Sequence, residues 1–251
     1  ISLQMKKYEA ICNELITYSD AVNGVSMYVN VASKFEKSTA YTKQIVPPFI
    51  ANFADNTNVI SIYLKIQNKN ELLKILNTDN HSNLITLEDS KALDETVLAS
   101  ASSGTWLSKK LVNGKDSVIY VKNSVPYTII NGIPNYFGFR LSLYTVYDQN
   151  FLSSIYNNVD LGKNVDIFVM DSKGMVISSR DTAKTPPNSL YKEESFISKL
   201  IRTKGKRDSS FSTTIDNSKH LVTFSPIKDT DWFFVSTIPY GYLQNESRSI
   251  L

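Results

Sequence analysis

Apolar side chains recur at alternating steps of three and four residues through the first part of the chain. This spacing keeps them on one side of an α-helix for about seven turns. It predicts a long N-terminal helix from Leu3 to Phe35, roughly 50 Å in length. A core helix or a coiled-coil arm for self-association would show the same stripe. The stripe consists of Tyr8, Ile11, Leu15, Tyr18, Val22, Val25, Val29 and Ala32.

A change to period two after residue 57 marks the first group of strands. Pro47 and Pro48 are expected to break a helical stretch of about 39–53 that precedes it. The alternation over 58–66 predicts a half-buried strand with Ser61, Tyr63 and Lys65 on its polar side. The segment around 72–76 fits either a strand or a short helix. Further elements are a helix over 89–101 and strands over 106–112, 117–122, 127–131 and 137–147, with a hairpin-turn signal at Asn113-Gly114.

A second group repeats this plan from residue 165 onward. Both groups end with a long strand that leads into a helix start, at Asp148 in the first and at Pro239-Tyr240 in the second. The predicted elements are a hairpin over 165–170 and 175–179, a helix over 193–201, a hairpin over 211–215 and 220–224 across Asn217-Ser218, and a closing strand over 232–238. The chain is therefore predicted to be α+β, with two related modules, each a mostly antiparallel sheet with flanking helices, in series on the N-terminal helix.

The pattern also predicts where the modules begin and end. The long helix occupies 1–37, the first module 38–160 and the second module 161–243. Residues 244–251 begin a C-terminal helix. The chain starts and stops within helical patterns, so we expect transmembrane helices to flank these 251 residues on both sides. No apolar run of eighteen residues, the length that would suggest a span, occurs within them.

Composition and charge exclude several classes of function. The net charge of +3 gives no field suited to nucleic acid. Cys12 is the single cysteine, which excludes an internal disulfide and argues against a cysteine-built metal site. His81 and His220 are the only imidazoles, and neither lies near a nucleophile or phosphate-binding motif. We therefore expect a non-catalytic domain without a metal or cofactor.

Three segments carry a resemblance to a known family. They are the strand Leu221–Ile227 that ends in Ser-Pro, the segment Asp229–Pro239 with its acidic turn, Trp232 and closing Pro, and the hairpin Asp166–Ser179. Together they resemble the double Cache domains, PAS-like extracytoplasmic sensors of bacterial histidine kinases and chemoreceptors. The resemblance implies two stacked PAS-like modules, with the ligand in the membrane-distal one. Trp232 is expected to fill the second core instead of touching a ligand.

The resemblance also directs attention to candidate ligand-binding residues. Amino-acid-binding members share an Arg before a Trp-Tyr pair, but here Ser103-Gly104-Thr105 precedes Trp106 and Leu107 follows it. Amino-acid specificity is therefore in doubt. The candidates that remain for a small polar solute are Trp106, Tyr120, Tyr127, Arg140, Ser142 and Tyr144. Arg140 would act as a fork for an anionic group. Alternation places Phe139, Leu141 and Leu143 on the opposite, core-facing side, and a merely solvated polar face is the alternative.

These expectations combine into one functional hypothesis with alternatives. The chain is predicted to be the extracytoplasmic sensor of a membrane-bound receptor, with a histidine kinase favoured over a chemoreceptor. It binds a small molecule and no nucleic acid, it reaches the membrane through the flanking helices, and the long helix makes the full receptor a homodimer. The alternative from another class is a secreted or lipid-anchored solute-binding protein that delivers its ligand.

Overall fold

The structure is a computed structural model that describes residues 1–17, 19–78, 83–99, 104–110, 116–148, 150–159, 162, 165–191, 194–202 and 209–248. The chain divides into two compact units. The N-terminal unit is Leu3–Asp148, and the C-terminal unit is Gln149–Leu251 together with Ile1–Ser2. The predicted domain boundaries at residues 37, 160 and 243 remain predictions. No helix within the described ranges is long and apolar enough to cross a membrane.

The N-terminal segment is helical but is not one uninterrupted helix. Helix α1 covers Ser2–Thr17 and helix α2 covers Asp20–Asn30. Ser19 begins α2, because its hydroxyl accepts the Ala21 N–H at 3.2 Å and donates to the Leu15 carbonyl at 2.6 Å. A serine in this role offers the backbone an alternative to a continuing helix. The structure thus replaces the predicted single helix from Leu3 to Phe35 with two, and Tyr18 of the stripe lies outside the described residues.

The next helical run passes through its two prolines. Helix α3 covers Lys34–Ala40, a π-helical turn covers Tyr41–Ile45, and helix α4 covers Val46–Phe53. Pro47 and Pro48 have no N–H to donate, so neither can make the N–H···O=C bond to the preceding turn that an uninterrupted helix requires. The wider turn before them absorbs the mismatch, with the Val46 N–H donating to the Tyr41 carbonyl. The prolines therefore locate a π-turn and do not end the helix.

The first sheet contains five antiparallel strands in the order β2-β1-β7-β4-β3. The strands are β1 Val59–Ile66, β2 Glu71–Asn77, β3 Gly104–Lys110, β4 Asp116–Ser124 and β7 Leu141–Asp148. Helix α5 (Leu87–Ala99) precedes β3. A separate hairpin joins β5 (Tyr127–Ile130) to β6 (Ile133–Tyr136). Its turn residues Asn131 and Gly132 have φ of 53° and 78°, as a type I′ turn requires.

The second sheet repeats the topology of the first. Its strands are β8 Asp166–Asp171, β9 Val176–Ser179, β10 Ser209–Ile215, β11 Ser218–Pro226 and β12 Trp232–Pro239. Their antiparallel order is β10-β11-β12-β8-β9. In both sheets the first strand therefore lies between the second and the last. Helix α6 (Asn150–Tyr156), helix α7 (Glu194–Arg202) and helix α8 (Tyr240–Arg248) complete the unit. The prediction of two related, mostly antiparallel α+β modules is confirmed.

Several local predictions are settled by the strands. The ambiguous segment near residue 72 is strand β2, and the turn between β10 and β11 is Asp216-Asn217, with φ of 48° and 60°, instead of Asn217-Ser218. The prediction that β1 is half-buried was wrong, because Ser61, Tyr63 and Lys65 are buried as well. Both faces of the sheet are covered, so the polar side of β1 does not meet water. The Asn113-Gly114 turn lies outside the described residues.

Gly24 allows α2 to pack closely against the π-turn. A Cβ at this position would lie 2.8 Å from the Gln44 Cβ and 3.0 Å from the Ile45 backbone nitrogen. We expect Gly24→Ala to lower the free energy of unfolding by about 1–3 kcal/mol through overpacking, although alanine favours an isolated helix by ~1 kcal/mol. Denaturant unfolding with a fluorescence readout measures the change.

Gly241→Ala is the matched control. Gly241 lies in helix α8, and beyond its chain neighbours and its own helix backbone no atom of the described residues stands within 4 Å of a Cβ built there. Helix propensity then acts alone, so the substitution should leave stability unchanged or raise it by up to ~1 kcal/mol. A Gly24→Ala protein as stable as the parent would show that α2 and the π-turn do not need this close approach.

Candidate functional site

The two faces of the first sheet have different environments. Side chains of a strand alternate between the two faces of a sheet. In β7, Ser142 and Tyr144 therefore point to one face, and Thr145 and Tyr147 point to the other. The Tyr144 face packs against α5, because its hydroxyl donates to Asp94 of that helix at 2.7 Å. The opposite face packs against α1, where the rings of Tyr8 and Tyr147 are 5.5 Å apart. We call these the α5 face and the α1 face.

The α1 face is a closed aromatic core. The Trp106 ring lies 4.8 Å from that of Tyr120 and 5.3 Å from that of Tyr147. The Trp106 indole N–H donates to Oε1 of Glu9 in α1 at 2.7 Å, which satisfies its single donor. Trp106 and Tyr120 are 3% and 4% exposed. These side chains therefore join α1 to the sheet.

The single thiol lies in the same core. Cys12 is fully buried, and its Sγ is 3.5 Å from the Thr145 hydroxyl. Burial raises the pKa of the Cys12 thiol to about 12, even though the hydrogen bond with Thr145 acts in the other direction. Since the thiolate is the reactive form, this cysteine is inert at neutral pH and serves as a small apolar side chain.

The α5 face contains a buried polar group of three residues. Lys65 Nζ of β1 lies 2.7 Å from Oδ2 of Asp94, and the Tyr144 hydroxyl donates to Oδ1 of the same carboxylate at 2.7 Å. Lys65 is 5% exposed and Asp94 is 8% exposed. Burial raises the pKa of Tyr144, and donation to the Asp94 carboxylate raises it further, so the phenol stays protonated. We call Lys65, Asp94 and Tyr144 the Asp94 cluster.

Other polar groups extend along the α5 face. The Gln67 amide donates to the Ser142 hydroxyl at 2.7 Å. The Tyr63 hydroxyl accepts the Leu84 backbone N–H at 2.7 Å. The Asp94 cluster is thus one part of a polar stripe along β1 and β7, in a position where an ordinary core would be apolar.

The start of α5 is fixed by reciprocal hydrogen bonds. The Thr86 hydroxyl accepts the Asp89 N–H at 3.1 Å, and the Asp89 carboxylate accepts the Thr86 N–H at 3.1 Å. Lys109 Nζ of β3 lies 2.7 Å from the same carboxylate. Burial alone would raise the pKa of Asp89, but the hydrogen bonds from Lys109 and Thr86 outweigh it, so the pKa lies below its ordinary value. These contacts hold α5 over the sheet and so hold Asp94 in place.

The Asp94 cluster offers one cation, one carboxylate and one hydroxyl within a largely apolar surrounding. An apolar pocket with a few placed polar groups is the usual form of a small-molecule site. The surrounding buried side chains are Tyr63, Leu84, Ile85, Leu93, Val97, Ile119, Val121 and Val146. Within the described ranges, no group of three or more His, Cys, Asp or Glu side chains could hold a metal ion. The chemistry of the cluster suits a small solute with both charged and apolar parts.

The six residues predicted from the sequence do not form one group. Ser142 and Tyr144 lie on the α5 face, whereas Trp106 and Tyr120 belong to the α1 face. Tyr127 lies in the β5–β6 hairpin, where its ring is 5.7 Å from that of Tyr136. Arg140 is exposed just before β7, and its carbonyl accepts the Gln67 N–H at 3.0 Å.

Lys65 and Asp94 are the residues that sequence reasoning missed. The alternation of β1 had already placed Lys65 beside Tyr63 on the polar side of the strand. A helical spacing of four also places Ser90 and Asp94 on one face of α5. A lysine on the polar side of β1 and an aspartate on one face of α5 were the available signal. The expectation that the polar side of β1 faces solvent concealed it.

Comparisons with known proteins identify the fold. The sequence matches no family model and no curated protein. Among solved structures, the extracellular domain of mmHK1S-Z3, which has been assigned as a histidine kinase, is similar with a TM-score of 0.67 at 12% identity, covering 100% of this chain and 93% of that chain. The ligand-binding domain of Mlp24 with asparagine gives 0.55 at 10% identity, over 95% and 85%. The sensory domain of the Campylobacter jejuni chemoreceptor Tlp3 with isoleucine bound gives 0.54 at 12% identity, over 95% and 87%.

These similarities extend over both units of the chain. The compared structures are a ligand-binding domain, an extracellular domain and a sensory domain, and each match covers 95% of this chain or more. The chain has the double Cache fold, as the sequence predicted.

Proposed function

We propose that this chain is the extracytoplasmic ligand-sensing domain of a transmembrane receptor and binds a small polar solute in its N-terminal unit. The main support is the likeness, over nearly the whole chain, to the ligand-binding domain of Mlp24, the sensory domain of Tlp3 and the extracellular domain of mmHK1S-Z3. A domain of this kind binds and transmits without catalysing a reaction.

The contrast between the two units supports the choice of the N-terminal one. Helix α5 buries Ser90 and Asp94 against its sheet, and β1 and β7 meet them with Lys65 and Tyr144. The corresponding helix α7 of the C-terminal unit buries Phe196 and Leu200 in an apolar, mostly aromatic cluster. Buried charge that an apolar core does not need is typical of a site kept for a ligand.

The Asp94 cluster favours a zwitterion as the ligand. A solute with an ammonium and a carboxylate would separate the pair, placing its carboxylate on Lys65 and its ammonium on Asp94. Each buried charge then keeps a partner, so the exchange avoids the cost of an isolated buried ion. Mlp24 and Tlp3 are described with asparagine and isoleucine, so α-amino acids are the first compounds to try. The chain lacks the Arg that precedes the Trp-Tyr pair in amino-acid-binding members, and Lys65 would hold the carboxylate in its place. Ser142 and Tyr144 remain proposed ligand contacts.

A histidine kinase is the proposed receptor type. The likeness to mmHK1S-Z3, at a TM-score of 0.67, exceeds those to Mlp24 and Tlp3, at 0.55 and 0.54. We further propose transmembrane helices on both sides of the chain and a homodimer in the full receptor. A chemoreceptor of the same fold is the second candidate. The sequence that follows the receptor's next membrane span would distinguish the two receptor types.

Thermal unfolding in the presence of amino acids tests the proposed ligand class. At a hundredfold over its dissociation constant, a ligand adds ~2.7 kcal/mol to stability, which corresponds to a rise of roughly 5–10 °C in Tm for a protein of this size. We expect one or more amino acids to give such a rise in the parent protein, and Asp94→Asn to abolish it.

Asp20→Asn is the matched control, since Asp20 lies in the first turn of α2, away from the α5 face. It should keep the full ligand-induced rise. Equal rises in the parent and Asp94→Asn proteins would remove the Asp94 cluster from the ligand site. No rise with any amino acid would exclude this ligand class.

A further inference from the structure

A concave surface lies in the N-terminal unit, at the free edge of its sheet. A groove of about 380 Å³ runs between helices α2 and α3 and the edge strand β2. Its volume lies in the usual range of small-molecule sites. We call it the lysine groove, and the residues that characterise it are Tyr28, Lys34, Lys37, Tyr41, Leu72 and Lys74.

The charged residues among the described lining of the lysine groove are all lysines. They are Lys34 and Lys37 of α3 and Lys74 of β2. Within the described part of the chain, none of these three lysines forms an ion pair. The nearest acid along β2 is Glu71, which already accepts a hydrogen bond from the Tyr28 hydroxyl at 2.5 Å. Because none of the three lysines pairs with a carboxylate of the described residues, they can pair with an anion from solution.

The side chains of the groove are held in place before any ligand arrives. Lys37 Nζ lies 5.0 Å above the ring of Tyr28. The Tyr41 hydroxyl donates to the Lys74 carbonyl, which fixes α3 and its following turn against β2. Burial and the bond to Glu71 raise the pKa of Tyr28 to about 12, and burial raises the pKa of Tyr41. Both phenols are thus neutral and add no negative charge.

We propose that the lysine groove binds a phosphorylated small molecule. A phosphate monoester carries close to two negative charges at neutral pH, which two or three ammonium groups can match. The organic part would pack on the ring of Tyr28. This site is separate from the Asp94 cluster and goes beyond the proposed sensing of an amino acid.

Phenyl phosphate is the probe for this site, measured by isothermal titration calorimetry in low salt. We expect binding to the parent protein, weaker binding of inorganic phosphate, and none of phenol. The variant Lys34→Ala/Lys37→Ala/Lys74→Ala should lower the affinity for phenyl phosphate at least tenfold. Amide shifts in NMR spectra should be confined to Tyr28 and to 34–41 and 71–74. The single variants Lys34→Ala and Lys74→Ala replace the triple variant if it does not fold.

The control variant is Lys43→Ala/Lys69→Ala/Lys91→Ala, which removes three exposed lysines of the same unit from outside the groove. It should change the affinity less than threefold. Equal losses in the two variants would overturn the proposal, because they would show attraction by net charge alone. Absence of binding would overturn it as well. Sedimentation with phosphatidylglycerol vesicles that depends on the groove lysines would assign the surface to a lipid headgroup and overturn the soluble ligand.

Discussion

Lys65→Met is expected to lower the free energy of unfolding by about 3–5 kcal/mol. The methionine fills much of the space of the lysine stem, so the main change is the loss of the ammonium 2.7 Å from Asp94. The carboxylate then stays buried without its ion-pair partner and keeps the hydrogen bond from the Tyr144 hydroxyl. Desolvation of an unpaired carboxylate is among the largest single costs in a folded protein. Urea unfolding at pH 7 measures the loss.

A double variant separates charge from packing. Lys65→Met/Asp94→Leu removes both ions, so it should regain most of the stability lost in the single variant. Lys69→Met, at an exposed position just beyond β1, should lie within ~0.5 kcal/mol of the parent. A loss below ~1 kcal/mol for Lys65→Met would mean that water reaches Asp94 and that the Asp94 cluster is not a dry site.

The repeated sheet could be predicted from the sequence because each part of the pattern is local. Period-two runs identify strands, and residues that favour positive φ mark the turns between them. The pair Asn131-Gly132 carried the same signal, and attention to it would have added strand β6. The Ser-Pro and Trp segments near the end then pointed to the fold as a whole.

The break in the N-terminal helix depended on a single side chain. The apolar stripe continues past Ser19 with helical spacing, so periodicity gives no reason to stop there. The Ser19 hydroxyl instead bonds the Leu15 carbonyl and the Ala21 N–H. A serine can stay within a continuing helix or cap the start of a new one, and tertiary packing decides which of the two occurs.

The candidate site could be predicted only in part because it depends on sheet register. Within one strand, alternation correctly placed Ser142 and Tyr144 together, apart from Leu141 and Leu143. Between strands, the sequence does not say which face of β3 matches which face of β7, and a shift by one residue exchanges them. For this reason the sequence did not show that Trp106 and Tyr120 lie on the α1 face, away from Ser142 and Tyr144. The pair Lys65 and Asp94, 29 residues apart, forms only when α5 packs on the sheet.

Phe196→Ala is expected to lower the free energy of unfolding of the C-terminal unit by about 3–5 kcal/mol. Phe196 is fully buried at the centre of an aromatic group, with ring centroids 4.8 Å from Tyr191, 5.7 Å from Phe211 and 6.3 Å from Phe168. These neighbours belong to separate strands and a loop, so they cannot all move into the space that the ring leaves. Hydrogen exchange of the β10–β12 amides locates the loss.

Leu190→Ala is the matched control from the same unit, because Leu190 is 63% exposed and its truncation leaves no cavity. It should stay within ~0.5 kcal/mol of the parent. The proposed ligand site lies in the other unit, so Phe196→Ala protein should still show the amino-acid-induced change in the amides of α5. A loss of stability below ~1.5 kcal/mol would mean that α7 repacks on its sheet, and the rigid apolar core that distinguishes this unit from the N-terminal one would have to be abandoned.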